Sequence, residues 1–392
     1  MKQAADAIVI GGGASGMMAA IVAARNGTSV RILERMQRVG KKLLATGNGR
    51  CNLSNQRVSI EDYHGTSPKF AAQVLHQFDC VQTMKFFEEL GIAWRIEDHG
   101  RVFPLSDQAS SVLDVLRFEL DRLGVPVECE TIIQKVVRDD DGLSCLSSEG
   151  LAFKAHKVIV ATGGKSAPNL GSNGGGFRIA QALGHHIVEP HPALVPVTLD
   201  CPALKHINGV KVIADAQALV DGVPQGREVG EVLFTEYGVS GSPILALSRI
   251  ISESLLKGSE SSIQLDLFPE MSFDELLSFL RNRFSVASEK SVSFSFVGLV
   301  HKRLISLILK EAEIQNAECS CSKIGESDIS RIAKALKGLK FRCSGTLSWM
   351  YSQVTAGGVD VREVDRRTLE SKVVPGVYFA GEVLDVDGNS GG

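Results

Sequence analysis

The first residues able to do chemistry are three glycines and an acid. Gly11, Gly13 and Gly16 stand in the pattern Gly-x-Gly-x-x-Gly, and Glu34 follows about 20 residues further on. These types at these spacings suit a dinucleotide. Gly11 permits a tight turn. Gly13 lets a pyrophosphate approach the backbone, because a Cβ there would collide with it. Gly16 lets a helix pack close to a sheet. The amides of Ala14 and Ser15 would open that helix and face the phosphates, with the positive end of the helix dipole behind them. Glu34 can accept both hydroxyls of an adenosine ribose, and an acid rather than an arginine here argues against a 2′-phosphate. The pattern alone does not separate FAD from NAD.

The flanking sequence supplies the elements that must hold these residues. Asp6–Ile10 reads as an apolar strand, an Ala-rich run to Asn26-Gly27 as a helix, and Ser29–Leu33 as a second strand ending in the acid. After Glu34 comes a basic segment with neither helical nor strand period. It carries Arg35, Arg38, Lys41 and Lys42, then Gly47-Asn48-Gly49-Arg50-Cys51-Asn52. A loop following the ribose acid would lie along the cofactor, where Arg38, Lys41, Lys42 and Arg50 could neutralise phosphates or a reduced flavin anion. Paired glycines around Asn48 carry a conformational entropy cost that a plain surface loop need not bear.

Helices are expected at 67–78 and at 79–90, the second capped by Asp79. A hairpin joins 93–97 to 101–104, and Ser106 would cap an amphipathic helix to Leu123 through Val112, Leu113, Leu116 and Leu120. Strands follow at 125–129, 131–138, 143–147 and 151–155, with turns at Asp139–Gly142 and Glu149-Gly150. Then Lys157–Ala161 forms another buried strand, ending in Thr162-Gly163-Gly164. A βαβ unit, an antiparallel meander and a strand ending Ala161-Thr162-Gly163 is the order of FAD proteins of the glutathione-reductase type. This second motif shifts the reading from NAD to FAD. Ile133, on the strand at 131–136, would bring backbone polar groups to the adenine. A third motif is Val374–Glu382, a turn, a buried strand and the pair Gly381-Glu382. There glycine admits the pyrophosphate and the acid meets the ribityl chain.

From His185 the character changes. Pro190, Pro192, Pro196 and Pro202 interrupt the chain, and strand-like pieces lie at 194–200, 209–220, 229–234 and 262–268. Helical periodicity marks 274–284, 297–315 and 326–337. The fold class expected is α/β: a Rossmann-like FAD-binding domain with an inserted barrel-like and helical domain. Its first part is 1–190, the insertion 191–345, and the returning part 346–392.

The composition of the 392 residues, 44% hydrophobic and 22% charged with a net charge of −3, is ordinary for a globular protein and implies no polyanionic partner. No apolar run reaches the ~18 residues of a membrane span. Met1 leads into a strand without a basic or apolar leader, and eight scattered cysteines read as reduced thiols, so a cytoplasmic protein is expected. The sequence fixes no oligomeric state.

Several motifs, in this order, resemble one family across essentially the whole chain: Gly11–Gly16, Gly47–Asn52, Gly100–Pro104, Ala161–Gly164, Leu233–Gly241, Thr355–Val359 and Gly381–Gly388 with Asp387. The family is the bacterial NAD(P)/FAD-dependent oxidoreductases of the aminoacetone-oxidase-like and bile-acid-reductase-like kind. The resemblance implies bound FAD, an FAD domain split by a barrel-plus-helical insertion, and a small-molecule substrate. Two departures stand out. Glu236-Tyr237 occupies the place of a histidine and an aromatic residue. The family continues past Gly391-Gly392 into a helix whose N-terminus faces the flavin pyrimidine, whereas this sequence ends at Gly392. The expectation is a chain that folds but retains FAD poorly.

Flavin carries the redox step itself. No Cys-x-x-Cys lies beside the cofactor motifs, which disfavours disulfide reduction. Cys319-x-Cys321 has no further cluster to complete a metal site, and the nine histidines show no metal spacing, so no metal is expected. His185, His186 and His191 could face the flavin but read better as loop residues. The catalytic candidates are Arg50, Cys51 and Tyr237, with Cys51 also readable as a small packing residue. Gly171–Gly176 precedes a helix but lacks a ribose acid, so a nicotinamide would dock transiently. Three function classes follow. One is a reductase passing hydride from NAD(P)H through flavin N5 to a small conjugated or carbonyl substrate. Another is an oxidase of a small amine or alcohol using oxygen. The third is an RNA-modifying flavoenzyme or a non-catalytic redox binder, with RNA disfavoured by net acidity.

Overall fold

The computed structural model describes residues 5–140 and 142–389, so Asp141 of the predicted turn and the Gly391-Gly392 end lie outside it. The chain forms two compact units. One comprises Met1–His191 with Gln353–Gly392, and the other is Pro192–Ser352.

The first unit is built on a seven-stranded sheet. Strand β1 (Ala5–Ile10) buries every residue but Asp6, as expected of a parallel strand covered on both faces. It pairs in parallel with β2 (Val30–Leu33), Ala7 opposite Val30 and Ile10 opposite Leu33. Its other neighbour is the strand Ala152–Val160, with Ile10 opposite Val160. The sequence suggested two strands here, at 151–155 and 157–161, the first belonging to a separate meander. They are one nine-residue strand. His156 and Lys157, both exposed, interrupt its apolar run and conceal its continuity. Residues 152–155 pair antiparallel with Gly142–Ser147, and residues 158–160 pair in parallel with Val377–Phe379. The meander is therefore an extension of the main sheet.

Helix α1 (Ala14–Arg25) buries Gly16, Met17, Ala20 and Ile21. The helix Ala109–Arg122 buries Val112, Leu113, Leu116 and Leu120, and its Glu119 binds Arg25 at 2.7 Å. Its N-cap is Gln108, not Ser106. Ser106 instead donates to Ser111 Oγ at 3.0 Å, and Asp107 turns the chain at φ +52° before the helix can start. At Asp79 the expected cap is present, with Asp79 and Gln82 each bonding the other's backbone N–H.

The second unit contains a closed six-stranded barrel. Around it run Val197–Leu199, Gly238–Ser240, Val223–Phe234, Lys211–Val220, Ser261–Asp266 and Leu339–Thr346, the last pairing back to the first. The helix Ser242–Leu256 packs against every barrel strand and was not read from the sequence. Its signals are Pro243 in the first turn and the spacing Ile244, Leu247, Ser248, Ile251. Helices Phe273–Val286 and Glu326–Lys337 lie where periodicity placed them. The long helix expected over 297–315 is broken, with a 3₁₀ turn Lys302–Leu304 before a helix Ile305–Glu311. Gly298 at φ +82° and the His301 side chain, which accepts from Arg303 N–H, end one segment and start the next. No helix among the described residues is long and apolar enough to cross a membrane.

Candidate dinucleotide site

All the residues assembled first belong to the unit Met1–His191 with Gln353–Gly392. The three fingerprint glycines have different surroundings. A Cβ on Gly11, whose φ is +105°, would lie 2.5 Å from the Ala161 carbonyl oxygen. One on Gly16 would lie 1.9 Å from the Gly11 carbonyl oxygen. Both are glycine because protein backbone touches them. A Cβ on Gly13 would meet nothing within 4 Å. The space over Gly13 is open, at the end of α1. No side chain caps that end and no acid occupies its first turn, which contains Ala14 and Ser15. Uncapped N–H groups and the dipole make such an end a place for an anion.

Glu34 is buried at the end of β2. Its Oε2 accepts Gly12 N–H at 2.6 Å and its Oε1 accepts Met36 N–H at 2.7 Å. Each carboxylate oxygen can accept a second bond. Thr131 N–H donates to the Glu34 carbonyl at 2.9 Å and Glu130 N–H to the Met36 carbonyl at 3.0 Å, which draws the 130–133 segment alongside. Ile133 itself is buried in the core and paired with Ser147, while Glu130 and Thr131 are the residues beside the acid.

The basic segment divides into two parts. In the first part, Arg35 donates from Nη1 to the Gly171 carbonyl at 3.0 Å, and its buried Nε has no partner. Lys41 Nζ donates to the Asn169 carbonyl at 2.8 Å. Lys42 Nζ lies 3.4 Å from both Glu382 Oε2 and Ser166 Oγ. In the second part the backbone is left-handed at Gly47 (+55°), Asn48 (+55°), Gly49 (+85°) and Cys51 (+63°). Asn48 and Cys51 are strained there, since a Cβ disfavours this region. Arg50 is engaged away from Lys42. Its guanidinium lies 4.1 Å over the Phe103 ring, bonds Asp107 at 2.7 Å and pairs with Glu97. Arg95 bonds both acids, at 2.7 Å to Glu97 and 2.6 Å to Asp107. Arg50 and Arg95 hold the Glu97 carboxyl below its usual range, and Arg95 and Arg50 do the same for Asp107. The Cys51 thiol is buried, and burial pushes its pKa up, which disfavours the thiolate. The Asn52 amide nitrogen, in the orientation that satisfies both its ends, donates to the carbonyls of Ser54 (2.9 Å) and Val102 (3.2 Å).

The later motifs return to the same place. Ala161 N–H donates to the Ile10 carbonyl at 2.9 Å, so Thr162 and Gly163 (φ +67°) follow directly beside the fingerprint. A Cβ on Gly381 would lie 2.5 Å from Ser15 Oγ. Glu382 Oε1 accepts Thr355 N–H at 2.7 Å and Ser166 O–H at 3.0 Å, leaving Oε2 with the Lys42 contact. Asp387 and Gly388 lie further along, paired with His64 and Tyr63. Thr355 and Ser166 were not singled out by the sequence. Their signal was the Thr355–Val359 motif, whose chemistry is invisible until Glu382 is placed beside it.

His185 is turned into the protein interior. It is buried between Glu363 (3.1 Å) and Ser371 (2.7 Å), stacked edge-on against Phe379, and burial pushes its pKa down. Tyr237 belongs to the second unit, in the tight turn between Val223–Phe234 and Gly238–Ser240, where its carbonyl accepts Leu199 N–H at 3.0 Å.

The open space over Gly13, the uncapped helix end, two acids with acceptor capacity left, and the orphaned Arg35 Nε fit an FAD. Comparison with known proteins gives the family. Residues 5–392 match the model of the HI0933-like protein Rossmann domain. The chain belongs to this HI0933-like family. It is the flavoprotein family that the sequence motifs resemble. The chain is 36% identical over 386 residues to the 3-dehydro-bile acid delta(4,6)-reductase of Clostridium scindens, covering 98% of this chain and 94% of that one. It is 30% identical over 388 residues to the ribosomal RNA dihydrouridine synthase of Escherichia coli, covering 99% and 93%. Among solved structures it is similar to the 3-ketosteroid-delta4-(5alpha)-dehydrogenase of Rhodococcus jostii RHA1, at TM-score 0.47 and 16% identity, covering 100% and 93%.

Proposed function

We propose that this HI0933-like flavoenzyme is a cytoplasmic FAD-dependent reductase that passes hydride from NAD(P)H, through flavin N5, to a double bond conjugated with a carbonyl in a small molecule. The observation that carries the reading is the 36% identity, along nearly the whole of both chains, to a protein named for reducing such a bond. The site geometry supports it. Gly13, Ala14 and Ser15 would receive the pyrophosphate and Glu34 the adenosine ribose. Glu382 would take the ribityl hydroxyls with Lys42 beside it. Hydride addition at the β-carbon of a conjugated carbonyl leaves an enolate, which takes a proton at the α-carbon from an acid or from solvent; the protein's part is to orient the two partners and admit that proton. A reactive thiolate is not needed, in keeping with a Cys51 thiol whose pKa burial pushes up.

The test is anaerobic rapid mixing of the FAD-loaded protein with NADPH or NADH, followed by a second mix with a 3-oxo-4,6-diene steroid, a simple cyclic enone, or oxygen. Bleaching by a nicotinamide and rapid return of the flavin band with an enone is the expected result. Failure of both nicotinamides to bleach the flavin would overturn the NAD(P)H-linked reading, and peroxide release on addition of a small amine as the fastest turnover would replace the reductase by an oxidase.

A further inference from the structure

We infer that Thr355 is a positioning residue that aims Glu382 at the cofactor, an inference that rests on the FAD reading above. Thr355 is fully buried in the strand Val354–Val359. Its backbone N–H donates to Glu382 Oε1 at 2.7 Å. Its hydroxyl accepts Lys165 N–H at 2.8 Å and Ser166 N–H at 3.0 Å, and donates to Ser166 Oγ at 3.2 Å. Ser166 Oγ donates in turn to Glu382 Oε1 at 3.0 Å. The three residues close a ring of hydrogen bonds.

A hydroxyl has one donor and two acceptor sites. Thr355 uses all three, its donor within the ring and its two acceptor sites on the Lys165 and Ser166 N–H groups. Because its proton goes to Ser166, the Ser166 proton has one carboxylate to serve, Glu382 Oε1. That oxygen is therefore held twice, and the carboxylate cannot turn. Oε2 is left facing Lys42 at 3.4 Å on a side chain still 26% exposed. One oxygen fixes the acid to the protein and the other is presented outward. The ring also joins the loop after Ala161-Thr162-Gly163 to the Gly381-Glu382 turn, the two motifs that reach the site from distant parts of the chain. It leaves no slack, since a Cβ on Gly164 would lie 2.2 Å from Thr355 Oγ1.

Thr355→Val keeps the volume and the backbone N–H but strands two N–H donors and frees the Ser166 hydroxyl. Thr355→Ser keeps the ring. The experiment measures FAD affinity by fluorescence quenching for wild type, both variants, Glu382→Ala and the double variant Thr355→Val/Glu382→Ala. Loss of buried hydrogen bonds should weaken FAD about tenfold in Thr355→Val and by less than about threefold in Thr355→Ser. In the Glu382→Ala background the Thr355→Val effect should fall below about twofold, because coupled positions are not additive. A purely structural role would leave the two losses multiplicative, and that outcome overturns the inference. So does wild-type affinity in Thr355→Val. Should Thr355→Val fail to fold, Ser166→Ala breaks the same ring from the other side and is expected to show the same coupling to Glu382, and additivity there overturns it equally. A wild-type protein that does not quench FAD fluorescence removes the FAD reading and this inference together, whereas a normal wild type with an additive cycle removes this inference alone.

Discussion

Two carboxylates flank the glycine fingerprint, and they are held in opposite ways. Glu34 is fastened by backbone alone, through the N–H groups of Gly12 and Met36, within 22 residues of chain. Glu382 is fastened mainly by a network gathered from far away: Thr355 at 27 residues, Ser166 at 216 and Lys42 at 340. A backbone-held acid moves only if the strand moves. A network-held acid can be loosened by changing one distant side chain. The Glu34 end is accordingly the fixed reference of the site, and the Glu382 end is where orientation can be tuned.

The largest expected effect separates the two reasons for glycine at the fixed end. Gly16→Ala puts a methyl 1.9 Å from the Gly11 carbonyl oxygen and should destabilise the protein by about 1–3 kcal/mol or more, as overpacking does. Gly13→Ala meets nothing, and its φ of −76° suits any residue, so the apo protein should melt as wild type does. FAD affinity should nevertheless fall by at least about tenfold, or 1.4 kcal/mol, as the methyl occupies the phosphate's place. Chemical denaturation and FAD titration of both variants decide it. Equal melting with equal FAD affinity in Gly13→Ala would show that no pyrophosphate lies there.

Next in size is the contrast between the acids. Glu34→Ala should lose about 1–3 kcal/mol of FAD binding and also stability, since the buried Gly12 N–H and the half-buried Met36 N–H lose their acceptor. Glu382→Gln retains an oxygen for the Thr355 and Ser166 bonds. It should weaken FAD by about 1 kcal/mol with little change in denaturation midpoint. If Glu382→Gln were the more destabilising of the two, the proposed division into a fixed and a tuned end would fail.

The same contrast explains what could be read from sequence. The fingerprint and Glu34 were legible because their geometry is local: strand, turn, helix and strand follow in order, and the spacing carries the contacts. The barrel was legible in part, as the strand-like pieces at 194–200, 209–220, 229–234 and 262–268, whereas its strands Gly238–Ser240 and Leu339–Thr346 were not read. The strand Ala152–Val160 was split in the reading because exposed His156 and Lys157 mimic a turn, and only the pairing with Val377–Phe379 shows why the chain continues straight. Helix Ser242–Leu256 was missed, although Pro243 marks its start, because its buried face includes serines among the apolar residues. Arg50 was grouped with Lys41 and Lys42 because a sequence shows a run of basic residues but not their counter-charges. Glu97 and Asp107, 47 and 57 residues on, become its partners only when the hairpin Trp94–Pro104 folds beside the loop.

The smallest expected effect tests that regrouping. Lys42 touches Glu382, whereas Arg50 is drawn onto Phe103 and the two hairpin acids. A cation beside the flavin stabilises its reduced anion. About 1.4 kcal/mol of such stabilisation corresponds to one pKa unit, or about 30 mV for a two-electron couple. Lys42→Met should therefore lower the flavin midpoint potential by about 30 mV. Arg50→Met removes the same unit of charge, but from a partly exposed cluster of two cations and two anions where water screens the field, so its shift should stay under about 10 mV. Field effects superpose, which gives a control. Arg50→Met combined with Glu97→Gln removes one charge of each sign, and the potential should return to the wild-type value. Spectroelectrochemical titration of the three variants reads all of this in the loaded protein without turnover. A larger drop in Arg50→Met than in Lys42→Met, uncorrected by Glu97→Gln, would mean that the left-handed Gly47–Cys51 turn brings Arg50 to the flavin when the cofactor binds, and the tuned end of the site would then lie at that loop instead of at Glu382.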